Sequence, residues 1–103
     1  MIMTVMLEQA VQNGIAFLNE TYPNWREKVT VGNFDVNSEV SCPFSLASEL
    51  EFYVALTKHD KSFDWARTHG FFPNYPYFST ADLQKEWERV LIEDFQVCPA
   101  ELS

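Results

Sequence analysis

"CPFSLASELEFYVALTK", residues 42–58, is the stretch whose periodicity decides the fold class. Leu46, Leu50, Tyr53, Val54 and Thr57 recur at helical spacing, and Ala47, Phe52 and Leu56 widen the stripe. Pro43 suits a first helical turn, with Ser41 or Cys42 just before it as cap. The spacing predicts one helix over 43–58, apolar around much of its circumference and therefore central.

The flanking segments repeat the helical period. Upstream, Leu7, Val11, Gly14, Ile15 and Leu18, broadened by Ala10 and Phe17, mark a helix over 5–21 capped by Thr4 and stopped by Pro23. Gly14 is costly inside a helix and marks a close helix contact. Downstream, "SFDWARTHG" (62–70) reads as a short helix with Ser62 as cap and Gly70 as a left-handed stop. The last helix opens at "STADL" (79–83), where Ser79 or Thr80 caps and Asp82 approximates a capping box. Leu83, Trp87, Val90 and Leu91 form its apolar stripe, with Phe95 one turn on. Asp82, Lys85, Glu86, Glu88, Arg89 and Glu93 hold its wet side.

Residues 24–41 break the period. Val29 and Val31 alternate with polar residues, Gly32-Asn33 offers a tight turn, and Phe34 and Val36 alternate again. Two readings stand: a small β-hairpin near residues 29–36, or an ordered loop inserting Trp25, Val29, Val31, Phe34 and Val36 between helices. The expected fold is mainly α, a compact single domain over 1–98 with three main helices, one short helix and a frayed tail at 99–103.

Bulk properties exclude several functions. Fifteen Asp and Glu against seven Lys and Arg leave a net charge of −8. A direct nucleic-acid binder needs a basic footprint, so the field favours a basic protein partner or serves solubility. No apolar run approaches the roughly 18 residues of a membrane span, and no basic, apolar leader opens the chain. Two cysteines, Cys42 and Cys98, make no disulfide framework, so a cytoplasmic protein with reduced thiols is expected, with a Cys42–Cys98 pair as the open alternative.

Neither cofactor nor metal is expected. His59, His69 and the two cysteines lack the close pairing of a structural zinc site. Both histidines fall at helix C-termini, where the helix dipole favours an imidazolium. His59-Asp60 lacks the further ligands of a metal-dependent phosphohydrolase, Cys42 lacks a visible activating partner, and glycines 14, 32 and 70 are isolated. No catalytic residue is assigned.

Two sets of side chains remain as partner-binding candidates. The first is acidic: Glu49 and Glu51 on the central helix, and Asp82, Glu86 and Glu93 down the last. Asp82 and Glu86 are a like-charge i,i+4 pair, while Lys85 and Arg89 interrupt the row. The second lies in "GFFPNYPYF" (70–78). Phe71 and Phe78 are expected to be structural, and Pro73 and Pro76 to stiffen the middle, leaving Phe72, Tyr75 and Tyr77 to face outward.

Pro23, Trp25, Val29, Val31, Phe34, Val36, Cys42, Gly70, Phe71, Leu83 and Trp87 together form a pattern. Over about residues 8–95 it resembles a group of small bacteriophage and prophage proteins with a Pro-x-Trp, a Cys-led central helix, a Gly-Phe and a late Leu-x3-Trp. The chain departs from that pattern after Cys42, where "PFSLASELEFY" replaces a stretch of small residues with Gln and Gly. The resemblance carries no catalytic residues. It implies a phage-infected bacterial cytoplasm and a non-enzymatic accessory protein that binds and inhibits a host or defence protein, including anti-CRISPR or other nuclease inhibitors that act by DNA mimicry. A homodimeric structural or assembly module of a phage is the alternative, and a small hydrolase a more distant one.

Overall fold

The structure, a computed structural model, describes residues 2–30, 32–38, 40–75 and 77–96, with backbone course alone at 2–5 and 94–96. Six helices follow in order: α1 Ile2–Thr21, α2 Trp25–Lys28, α3 Pro43–Ser48, α4 Phe52–Lys58, α5 Phe63–Thr68 and α6 Thr80–Gln96. No strand occurs among the described residues; a single bridge joins Asn74 to Phe78. The fold is therefore mainly α, as the periodicity predicts. The Cα radius of gyration, 13.2 Å, matches the roughly 13 Å of a compact domain of this length. The Thr4 side chain, Val31, Pro76, the Phe95 side chain, Cys98 and the tail at 99–103 lie outside the described residues, so the Thr4 cap and a Cys42–Cys98 pair do too.

α1 packs against α5 and α6, α2 against α3, and α3 against α4. The core is built around one continuous run of rings. Trp25 meets Trp87 edge-on at 6.2 Å, Trp87 stacks on Phe71 at 6.0 Å, and Phe71 stacks on Phe44 at 4.9 Å. Val11, Leu18, Val29, Leu83 and Leu91 close around these rings. Such ring pairs add stabilisation beyond the burial of their area.

Local chemistry sets most helix ends as expected. Ser62 Oγ accepts the Trp65 N–H, which caps α5. At its other end Gly70 takes φ +70° and the Phe71 N–H reaches the Ala66 carbonyl, a Schellman closure with Phe71 buried behind it. α6 opens on a reciprocal capping box: the Ser79 N–H donates to Asp82 Oδ2 at 2.9 Å, and the Asp82 N–H donates to Ser79 Oγ at 3.2 Å. Buried Phe78 and Leu83 stand at the two staple positions around it.

Two expectations need correction. The helix over 43–58 is two helices. Glu49 adopts φ +63°, a left-handed conformation that interrupts the ladder; its N–H still closes on the Ser45 carbonyl, its carboxylate pairs with Lys28 Nζ at 3.1 Å, and Ser48 Oγ accepts the Leu50 N–H. The break turns α4 so that Phe52, Ala55 and Leu56 are buried while Tyr53, Val54 and Thr57 face outward, reversing the stripe assigned to them. The first helix starts at Ile2, three residues before the predicted boundary.

Of the two readings left open near residues 29–36, the loop is the one observed: the described residues 29, 30 and 32–36 form no strand. Val29, Phe34 and Val36 are buried, but the Phe34 carbonyl and the Val36 N–H bond to a side chain and the Asp35 N–H to the Ser41 carbonyl, so no ladder forms. The Val36 N–H donates to Gln84 Oε1 at 2.9 Å and Gln84 Nε2 donates to the Phe34 carbonyl at 3.2 Å. The α6 carboxamide thus occupies the place of a neighbouring strand. Asn33 closes the other end, accepting the Thr30 N–H and donating to the Lys28 carbonyl.

Candidate interaction surface

The break at Glu49 creates the most distinctive surface. Tyr53, Val54 and Phe63 are 42%, 48% and 41% exposed, unusual for large apolar residues so close together. The rings pack together: Tyr53 meets Phe63 edge-on at 5.7 Å, and Phe63 and Phe72 lie 5.3 Å apart. Phe72 stacks almost parallel on buried Phe52 at 5.8 Å, and the Arg67 guanidinium sits 5.5 Å from the Phe72 ring. Arg67 is in turn paired with Asp64 at 2.6 Å. A cleft of about 240 Å³ runs beside this group, between Val36–Ser38, Cys42, Phe71–Pro73 and Thr80.

Of the strap residues expected to face outward, Tyr75 and Tyr77 do, at 67% and 43% exposure. They flank the tip of a tight turn in which Asn74 and Phe78 exchange two backbone hydrogen bonds, 3.0 and 2.9 Å long. Phe72 instead is half-buried in the stack on Phe52, a correction to its expected exposure. Tyr53 and Val54 went unassigned as surface residues because periodicity alone put α4 in register with α3.

The acidic candidates do not form one free row. Glu49 is tied to Lys28, and Glu51 is exposed at the N-cap of α4. Asp82 is committed to the capping box, and Glu93 pairs with Arg89 at 2.8 Å. Glu86, expected on the wet side, is only 8% exposed; it receives Arg89 Nε and Nη2 at 3.1 and 2.5 Å. Those two bonds, then Glu93, hold the Arg89 guanidinium charged far above its ordinary value. Pairing at Glu49, Glu86 and Glu93 removes much of their local field, so the charge acts at long range rather than as a docking stripe.

Chemistry at the titratable groups is directed inward. Cys42 is buried, donates to Ser45 Oγ at 3.3 Å and caps α3, and burial pushes its thiol up, away from the reactive thiolate. His59 Nε2 lies 2.6 Å from the Tyr22 hydroxyl, in an aromatic group with Phe17 and Phe44. His69 Nδ1 donates to the Trp65 carbonyl at 2.8 Å and stacks on the Trp65 ring. Burial lowers both histidines, assisted by Lys58 and Lys61 at His59 and by Lys61 at His69, which overrides the helix-dipole expectation of a favoured imidazolium. Among the described residues no three His, Cys, Asp or Glu side chains are grouped as metal ligands, and no helix is long and apolar enough to cross a membrane.

A pH prediction follows from the two histidines. The unfolded chain binds protons near pH 6.5, whereas the folded chain resists them until lower pH. Stability is therefore full above about pH 6.5 and falls as pH drops through that value toward the folded-state values. The urea midpoint is expected to be lower at pH 5 than at pH 7.5, and His59→Gln with His69→Gln should flatten that dependence. An unchanged slope in the double variant contradicts the assignment.

Comparison with protein-family models, curated proteins and solved structures finds no match to this chain.

Proposed function

We propose that the protein is a non-enzymatic binding module whose contact face is the Tyr53–Val54–Phe63–Phe72 patch. The observation that carries this reading is the outward turn of α4, which exposes Tyr53 and Val54 and sets Tyr53 against the exposed Phe63 of α5. Aromatic residues beside a polar rim supply contact area at low entropic cost, and such residues dominate binding energy at interfaces. The net charge of −8 adds steering toward a basic partner and disfavours direct contact with nucleic acid. Joined to the resemblance to small phage proteins, this gives a specific version: an accessory protein of a phage-infected cell that binds and inhibits a host or defence protein, such as a CRISPR effector or another nuclease with a basic surface.

Capture from bacterial lysate with the wild type and with Tyr53→Ser/Phe63→Ser as bait tests this. A partner retained by the wild type should lose about 30-fold in affinity with the variant, the equivalent of roughly 2 kcal/mol for an interface hot spot. Its association rate should fall between about 50 and 300 mM salt. Equal capture by wild type and variant counts against the face. Sedimentation at micromolar concentration separates the assembly alternative, because a dimer abolished by the same substitutions assigns the patch to a second copy.

A further inference from the structure

A second cleft, of about 310 Å³, lies between α1, the end of α5 and the turn that joins Asn74 to Phe78, and has Arg67 in common with the aromatic patch. Met6, Ala10 and Phe78 give it apolar walls, while Gln9, Asn13 and Asn74 bring three carboxamides to it. Two of these are ordered by a chain of bonds: Gln9 Nε2 donates to Asn13 Oδ1 at 2.9 Å, and Asn13 Nδ2 donates to the Thr68 carbonyl at 2.9 Å. Gln9 Oε1 is left as an acceptor. The half-buried Asn74 holds its turn through backbone bonds alone, and its carboxamide has no hydrogen-bond partner among the described residues.

We propose that this cleft binds an extended peptide segment carrying one aliphatic side chain. A carboxamide offers one donor edge and one acceptor edge, the same pair that a peptide group presents, so Asn74 can engage an N–H and a C=O together. Gln9 Oε1 accepts a further N–H, and the aliphatic side chain enters between Met6, Ala10 and Phe78. The volume is at the lower end of the range for small ligand sites, enough for a few residues. Among the described residues Arg67 is the only charged one lining the cleft, and its guanidinium is already engaged by Asp64 and the Phe72 ring. The site therefore recognises amides rather than charge, which separates it from the electrostatic steering assigned to the molecule as a whole. It stands independently of the aromatic face.

The test is a two-dimensional NMR titration of the 103-residue chain with Ac-Ala-Leu-Ala-NH₂. Shifts are expected at the Asn74 and Gln9 side-chain amides, the Met6 methyl and Phe78, with a dissociation constant on the order of millimolar. Asn74→Leu should weaken binding about tenfold while leaving the remaining spectrum in place, because Asn74 is not in the left-handed region and its side chain holds nothing else. Gln9→Met, on the exposed side of α1, provides a second variant with an expected loss of severalfold. 4-Methylpentanoate, which has the aliphatic body and a carboxylate but no peptide group, should bind at least tenfold more weakly. Shifts confined to Tyr53, Phe63 and Phe72, affinities unchanged in both variants, or equal binding of 4-methylpentanoate would each overturn the assignment.

Discussion

Trp87→Ala is expected to remove about 4–5 kcal/mol and leave the chain near or beyond its unfolding threshold. Trp87 is fully buried at the centre of the ring run, between Trp25 and Phe71. Truncating a buried tryptophan to alanine costs roughly 3–5 kcal/mol through lost contacts and the remaining cavity. A second loss comes from its indole N–H, which donates to the Gly70 carbonyl at 2.7 Å. Gly70 cannot swing this carbonyl elsewhere without disturbing the Schellman closure of α5, so the acceptor is left buried and unpaired at about 1 kcal/mol or more. Against a total stability of about 5–15 kcal/mol, that loss is from about a third to all of the margin. Trp87→Phe separates the two contributions, because it keeps much of the ring packing and deletes the donor; a loss of about 1–2 kcal/mol is expected. Urea unfolding followed by far-ultraviolet circular dichroism measures both. An alanine variant within about 1 kcal/mol of wild type would mean that the ring run is not the structural centre.

The importance of Trp87 was legible because it depends on a period: Leu83, Trp87, Val90 and Leu91 share one side of a helix whatever that helix packs against. The caps at Ser62 and Ser79–Asp82 and the left-handed Gly70 were legible for a related reason, since each is complete within a few residues. What escaped the sequence depends on distant partners. Glu49 gives no local warning of a left-handed break, and the Lys28 that pairs with it comes from another helix. The hairpin reading failed at Gln84, which lies 48 residues beyond Val36 and takes its N–H. The outward turn of Tyr53 and Val54 follows from the Glu49 break and was invisible for the same reason. Spacing placed Glu86 on the wet side of α6 and could not show its burial, because burial depends on what else covers the helix. The histidines show a contest of magnitudes: the helix dipole contributes at the last turn, but loss of water around partly enclosed rings outweighs it.

Gly14→Ala is expected to destabilise the fold, although alanine is the better helix former by about 1 kcal/mol. A Cβ at this position would stand 2.1 Å from the carbonyl oxygen of His69, and 3.3 Å from its carbonyl carbon and from Phe71 Cζ. The first contact is with backbone, so no side-chain rotation relieves it; α1 and the end of α5 must move apart by about an ångström. The opposing surface cannot easily yield. Gly70, the next residue, already sits at φ +70° with its own Cβ position 2.9 Å from Val11 Cα, so α1 and the α5 corner approach each other through two glycines. Moving the corner would also pull the Gly70 carbonyl from the Trp87 indole and Phe71 from its stack on Phe44. Overpacking of this kind costs about 1–3 kcal/mol and more when backbone is involved, enough to exceed the gain in propensity. A net loss of about 2 kcal/mol corresponds to a fall of roughly 8–16 °C in melting temperature for a domain of this size. Gly32→Ala is the control, because nothing lies within 4 Å of its Cβ position; its melting temperature should stay within a few degrees of wild type, on the order of 0.5 kcal/mol. A Gly14→Ala variant that melts at or above the wild-type temperature would show that propensity, and not the α1–α5 contact, decides this position.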